Sequence, residues 1–139
     1  MYKKILVAVD GSDNSMRAAE HAAHIATLGV YSNVNILYIL DYERTQTDII
    51  QKISRDSLHA DRKEQIALVE ALFEKKNVLF ELVLKQGDPG PTIVKFANEH
   101  AFDLVVVGSR GLNSFQEMIL GSVSHKVAKR VSSPVLIVK

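Results

Sequence analysis

The sequence predicts an α/β fold, a parallel sheet with helices on both faces, and three observations carry that expectation. Short continuous apolar runs recur along the chain, the pattern of strands buried on both sides. Stretches with apolar residues every three or four positions separate them, as amphipathic helices require. Glycine, proline, aspartate or serine punctuates most of the junctions. Parallel neighbours need a connection long enough to hold a helix, so this alternation argues for right-handed crossovers in one sheet.

The first run, Ile5-Leu6-Val7-Ala8-Val9, is a strand that ends at Asp10-Gly11-Ser12. Ser12 or Ser15 is placed to cap a helix over residues 15–28, whose apolar stripe is Ala18, Ala19, Ala22, Ile25 and Ala26 and whose stop is Gly29. Residues 34–40 form the second strand. Residues 41–47 are polar, and helical spacing resumes at Ile49, Ile50 and Ile53, then from Leu58 through Ile66, Val69, Leu72 and Phe73 to Lys75-Lys76, which suit a helix C-terminus. Residues 78–84 are the third strand, and the cluster Gly87-Asp88-Pro89-Gly90-Pro91 is expected to be a turn before a helix over 92–99. Residues 104–107 give the fourth strand, 123–131 the last helix, and 135–138 a fifth strand entered through Pro134.

A chain of 139 residues matches the common size of one domain, and 47% hydrophobic with 24% charged residues is ordinary globular composition. A formal net charge of +1 lacks the electrostatic footprint of a nucleic-acid binder or a polybasic membrane protein, so neither partner is expected. No cysteine is present, which rules out disulfides and thiolate metal sites. No run approaches the roughly 20 apolar residues that span a bilayer. Met1-Tyr2-Lys3-Lys4 leads directly into the first strand without a signal-like apolar region, so a cytoplasmic location is expected.

In open α/β sheets ligands sit beyond the carboxyl ends of the strands, where strand order reverses. The loops after the first and fourth strands are the unusual ones. One is Asp10-Gly11-Ser12. The other is Gly108-Ser109-Arg110-Gly111, followed by nine residues and Gly121-Ser122 at the start of the last helix. Glycines admit close approach of a bound group, and the N–H groups near Gly121 and Ser122 have the helix's positive end behind them, an anion cradle. Ser109, Ser122 and Arg110 add donors.

These residues resemble the universal stress protein family along the whole chain, through Val7-Ala8-Val9-Asp10-Gly11-Ser12, Gly87-Asp88-Pro89, the Gly-x-x-Gly-x9-Gly-Ser spacing and Pro134-Val135-Leu136-Ile137-Val138. The resemblance implies a Rossmann-like, HUP-type fold of five parallel strands in the order 3-2-1-4-5, spanning residues 1–139 as one domain. It also implies ATP as ligand, with or without Mg2+, because the glycine signature marks the ATP-binding members. Carried across, Asp10 and Ser12 lie against the nucleoside, with the strand-end residues Ala8, Val9 and Val107 beside them and Ile39 against adenine. Gly108, Arg110 and Gly111 line the path of ribose and phosphates, and Gly121, Ser122 and Val123 hold the phosphates. The resemblance further implies a homodimer through the C-terminal strand.

Other residues read as structural. His21 and His24 share a polar stripe with Arg17 and Glu20 and are expected to face water, as are His125 and the charged stretch 55–64. Met118-Ile119-Leu120 is expected to plug its loop onto the core. The phosphate-binding Gly-x4-Gly-Lys-Ser/Thr loop, the nucleophile elbow and His-Glu-x-x-His are all missing from the sequence. The resemblance implies a nucleotide-dependent stress-response or signalling module, and the missing motifs lead us to expect at most slow hydrolysis. The alternatives are a nucleotide-dependent ATPase or transferase on a related fold, and a flavodoxin-like carrier, which 6% aromatic content disfavours.

Overall fold

The computed structural model describes residues 1–40, 54–109 and 121–139. The order of elements is β1 (Lys4–Val9), α1 (Asp13–Thr27), β2 (Asn33–Leu40), a 3-10 turn (Arg55–Ser57), α2 (Ala60–Lys75), β3 (Leu79–Gln86), α3 (Pro89–His100), β4 (Leu104–Gly108), α4 (Ser122–Arg130) and β5 (Val135–Val138). The sheet has the order β3-β2-β1-β4-β5 and all its pairs are parallel, as the sequence led us to expect. β1 is central, with Val7 opposite Ile36 of β2 and Val106 of β4. Growth of the sheet reverses between β3 and β4, so the carboxyl ends of β1 and β4 flank the switch point.

Side-chain alternation along the strands makes two cores. Ile5, Val7, Val9, Val34, Ile36 and Tyr38 face α1 and α2, meeting Ala18, Ala22, Ile66, Val69 and Phe73. Leu6, Ala8, Leu37, Ile39, Val105 and Val107 face α3 and α4, meeting Ile93, Phe96, Ala97 and Val127. Complete burial of each branched or aromatic side chain contributes roughly 1.5–3 kcal/mol, so the double coverage accounts for continuous rather than alternating apolar runs. Among the described residues no helix is long and apolar enough to cross a membrane.

Several boundaries differ from the sequence expectation. α1 begins at Asp13, two residues early, because Ser12 is its cap: the Ser12 hydroxyl oxygen accepts the Ser15 N–H at 3.3 Å. The Gly87–Pro91 stretch is not all turn. α3 starts at Pro89, where a missing N–H costs nothing and the fixed φ is already helical; Asp88 is the capping residue and Gly87, at φ +152°, makes the turn. α2 begins at Ala60, and Leu58 lies just outside it in extended conformation while packing on the core. The helical spacing at Ile49–Ile53 and the Met118–Leu120 plug fall outside the described residues.

Candidate functional site

A cleft opens over the carboxyl ends of β1, β2 and β4, enclosing about 430 Å3 including its open mouth. Ala8, Ile39 and Val107 belong to the core on the α3 and α4 side and form its floor. The small Ala8 side chain leaves depth between the two branched neighbours. Ile93 and Pro89 of α3 and Val123 of α4 complete an apolar slot. Val9 also borders the cleft, but its side chain packs in the opposite core, so its contribution is main chain.

Asp10, Ser12, Asn14 and Ser15 supply the polar rim. The loop that carries them is tied internally. The Asp10 carboxylate accepts the Ser12 N–H at 2.9 Å, an Asx turn. The Ser15 hydroxyl donates to the Ser12 carbonyl at 2.9 Å and accepts the Asp10 N–H at 3.3 Å. Gly11 between them has φ +89°, a backbone state that side chains disfavour.

The end of β4 is fixed by two neighbours. Ser109 donates its N–H to the Val138 carbonyl at 2.7 Å, and its own carbonyl accepts from the Asn14 side-chain amide. Gly108 packs on Asn14: a β-carbon there would lie 2.7 Å from the Asn14 carbonyl carbon and oxygen. Gly108 lines the cleft, and its missing side chain also makes room for the first turn of α1.

Gly121 caps α4 in extended conformation, φ −71° and ψ 168°, with its carbonyl accepting the His125 N–H at 2.9 Å and the Ser124 hydroxyl at 3.1 Å. The N–H groups of Ser122, Val123 and Ser124 have no acceptor within the helix, and the positive end of the helix dipole lies there. Val123 puts this terminus on the wall of the cleft.

Of the residues singled out from sequence, Ala8, Val9, Asp10, Ser12, Ile39, Val107, Gly108 and Val123 converge on this one cleft. Gly121 and Ser122 immediately precede its wall at the α4 terminus without lining it. Arg110 and Gly111 lie outside the described residues. Sequence reasoning missed Asn14 and Ile93 as cleft residues, and weighed Ser15 only as a cap and Pro89 only as turn and motif. The signal for Asn14 and Ser15 was their place in the first turn after a capped strand-to-helix loop. For Pro89 and Ile93 it was a proline at the start of a helix with an apolar residue one turn on. His21, His24 and His125 are exposed. Among the described residues no group of three or more carboxylates and histidines is arranged to hold a metal.

The family profile described as the universal stress protein family matches residues 1–139. The universal stress protein YxiE of Bacillus subtilis (strain 168) is 36% identical over 149 residues, covering all of both chains. A universal stress protein solved in complex with cAMP superposes with a TM-score of 0.74 at 27% identity, covering 99% of this chain and 97% of that one. The universal stress protein of Archaeoglobus fulgidus in complex with dAMP gives a TM-score of 0.69 at 28% identity, covering 99% and 98%. With the strand order and switch-point cleft described above, these matches show that the chain belongs to the universal stress protein family.

Proposed function

We propose that this chain binds ATP in the switch-point cleft and works as a nucleotide-dependent stress-response or signalling module of the cytoplasm, a single domain with at most slow hydrolysis. The observation that carries this reading is the pairing of an apolar slot, Ala8, Ile39 and Val107, with a polar loop and a helix N-terminus at its rim. A planar base fits the slot, the Asp10 and Ser12 side chains suit ribose hydroxyls, and the α4 terminus suits phosphate. Relatives solved with cAMP and dAMP carry adenine nucleotides, which supports the base assignment. Gly108, Arg110, Gly111, Gly121, Ser122 and Val123 complete the proposed site, with Mg2+ as an accompanying ion where the phosphates require it. The apolar slot offers no group that favours guanine, so ATP is preferred over GTP.

β5 is an edge strand, and we propose that two copies pair through it as a homodimer, which would satisfy the outer row of backbone groups. Titration calorimetry of folded, nucleotide-free protein with ATP, GTP and cAMP tests the binding, with and without magnesium. The expectation is a dissociation constant in the micromolar range or tighter for ATP and weaker binding of GTP. No heat with ATP under either condition overturns the reading. Multiple-turnover phosphate release at enzyme-like rates would replace it with the ATPase alternative.

A further inference from the structure

We propose that Gln65 of α2 is a positioning residue that holds the Asp10-Gly11-Ser12 loop from behind; its consequence for nucleotide affinity rests on the ATP reading above. A β-carbon placed on Gly11 would fall 2.3 Å from Gln65 Oε1, 2.7 Å from Cδ and 3.1 Å from Nε2, so the side-chain amide lies directly against the glycine. Gln65 does not line the cleft, whereas Asp10 and Ser12, on either side of Gly11, do. The loop therefore has the cleft on one side and the Gln65 amide on the other.

Gln65 is itself held. The Tyr38 hydroxyl donates to Gln65 Oε1 at 2.8 Å and accepts from Arg62 at 3.1 Å. Tyr38 is fully buried, and the Arg62 guanidinium sits over its ring at 5.9 Å from the centroid. A buried phenol needs a polar partner, and this one fixes the amide that touches the loop. The next residue of β2, Ile39, faces the opposite way onto the cleft floor. One strand thus serves the base slot with one side chain and the loop with its neighbour. Gly11 is required for its positive φ, and the absence of a side chain lets the Gln65 amide rest against its backbone.

If the loop adopts its binding geometry only part of the time, apparent affinity falls by that fraction. Truncating Gln65 leaves Gly11 unsupported and lowers that fraction. The test uses the full chain, nucleotide-free, with amide hydrogen exchange followed by NMR at Ser12, whose N–H donates to Asp10 within the loop. Gln65→Ala is expected to speed Ser12 exchange and to weaken ATP about five- to tenfold, while the melting curve stays cooperative. Gln65→Glu keeps the shape against Gly11 and an acceptor for the Tyr38 hydroxyl, and is expected to restore slow exchange. Tyr38→Phe, which frees the amide without deleting it, should act in the same direction and decides the matter if Gln65→Ala does not fold. Unchanged Ser12 exchange in Gln65→Ala, or exchange accelerated equally in Gln65→Glu, overturns the proposal. A wild-type chain that gives no heat with ATP, yet shows this exchange pattern, upholds Gln65 as the support of the loop and removes the ATP reading alone.

Discussion

Gly108 at the end of β4 rests on the main chain of Asn14 in α1, with a β-carbon on Gly108 falling 2.7 Å from the Asn14 carbonyl. Because the obstructing atoms are backbone, neither element can yield without shifting a strand or a helix. Gly108→Ala is therefore expected to destabilise the nucleotide-free protein by about 1–3 kcal/mol, read from urea unfolding. Unaltered stability would show that this glycine serves only the ligand.

Ser12 has two roles that one pair of variants separates. As the cap of α1 it satisfies the Ser15 N–H, and Ser12→Ala should cost about 1 kcal/mol. Ser12→Asp restores a capping oxygen and should recover most of that loss in the same unfolding assay. The added carboxylate, however, faces the cleft, so ATP affinity measured by calorimetry should fall in the aspartate variant below that of the alanine variant.

At Gly121 the expected effect falls on the ligand and spares the fold. Its φ of −71° and ψ of 168° are extended values that valine adopts readily. Gly121→Val should keep the melting temperature close to wild type while weakening ATP at least tenfold, since a branched side chain at the α4 terminus crowds the phosphates. Wild-type affinity in this variant would remove α4 from the phosphate site.

The dimer needs a probe that spares the monomer. Val138 is a poor choice because it is 6% exposed and packed in the α1 and α2 core, so a charge there would unfold the edge. Its carbonyl, like that of Pro134, is bonded to β4 through Ser109 and Val105. In a parallel ladder the alternate residues, Val135 and Ile137, then direct their backbone groups away from β4. Ile137→Pro removes one outward N–H and leaves the β4 ladder in place, a substitution that edge strands tolerate. Sedimentation equilibrium at tens of micromolar should give a dimer for the wild type and a monomer for the variant. A monomeric wild type sinks the assembly proposal.

The sequence by itself determined the strands, the described helices and the Asp10-Gly11-Ser12 loop at the cleft, because each is written in neighbouring residues. Ile5 to Val9 is apolar throughout because it is covered on both faces, and Asp10-Gly11-Ser12 must turn and cap whatever lies around it. Resemblance of those same motifs supplied the strand order. What local pattern could not decide were contacts between residues far apart in the chain. Asn14 meets the carbonyl of Ser109 across 95 positions, and Tyr38 meets Gln65 across 27. Neither partner announces the other by type or spacing, since an asparagine or a glutamine on a helix face reads as solvated until the register of the sheet is set. Only when β1 and β4 lie side by side does Gly108 lose its room to the main chain of Asn14. The tertiary structure therefore decided why Gly108 is a glycine, whereas the positive φ of Gly11 belongs to its own turn. Steric exclusion acts between whatever atoms packing brings together, and packing is a property of the assembled sheet rather than of any one segment.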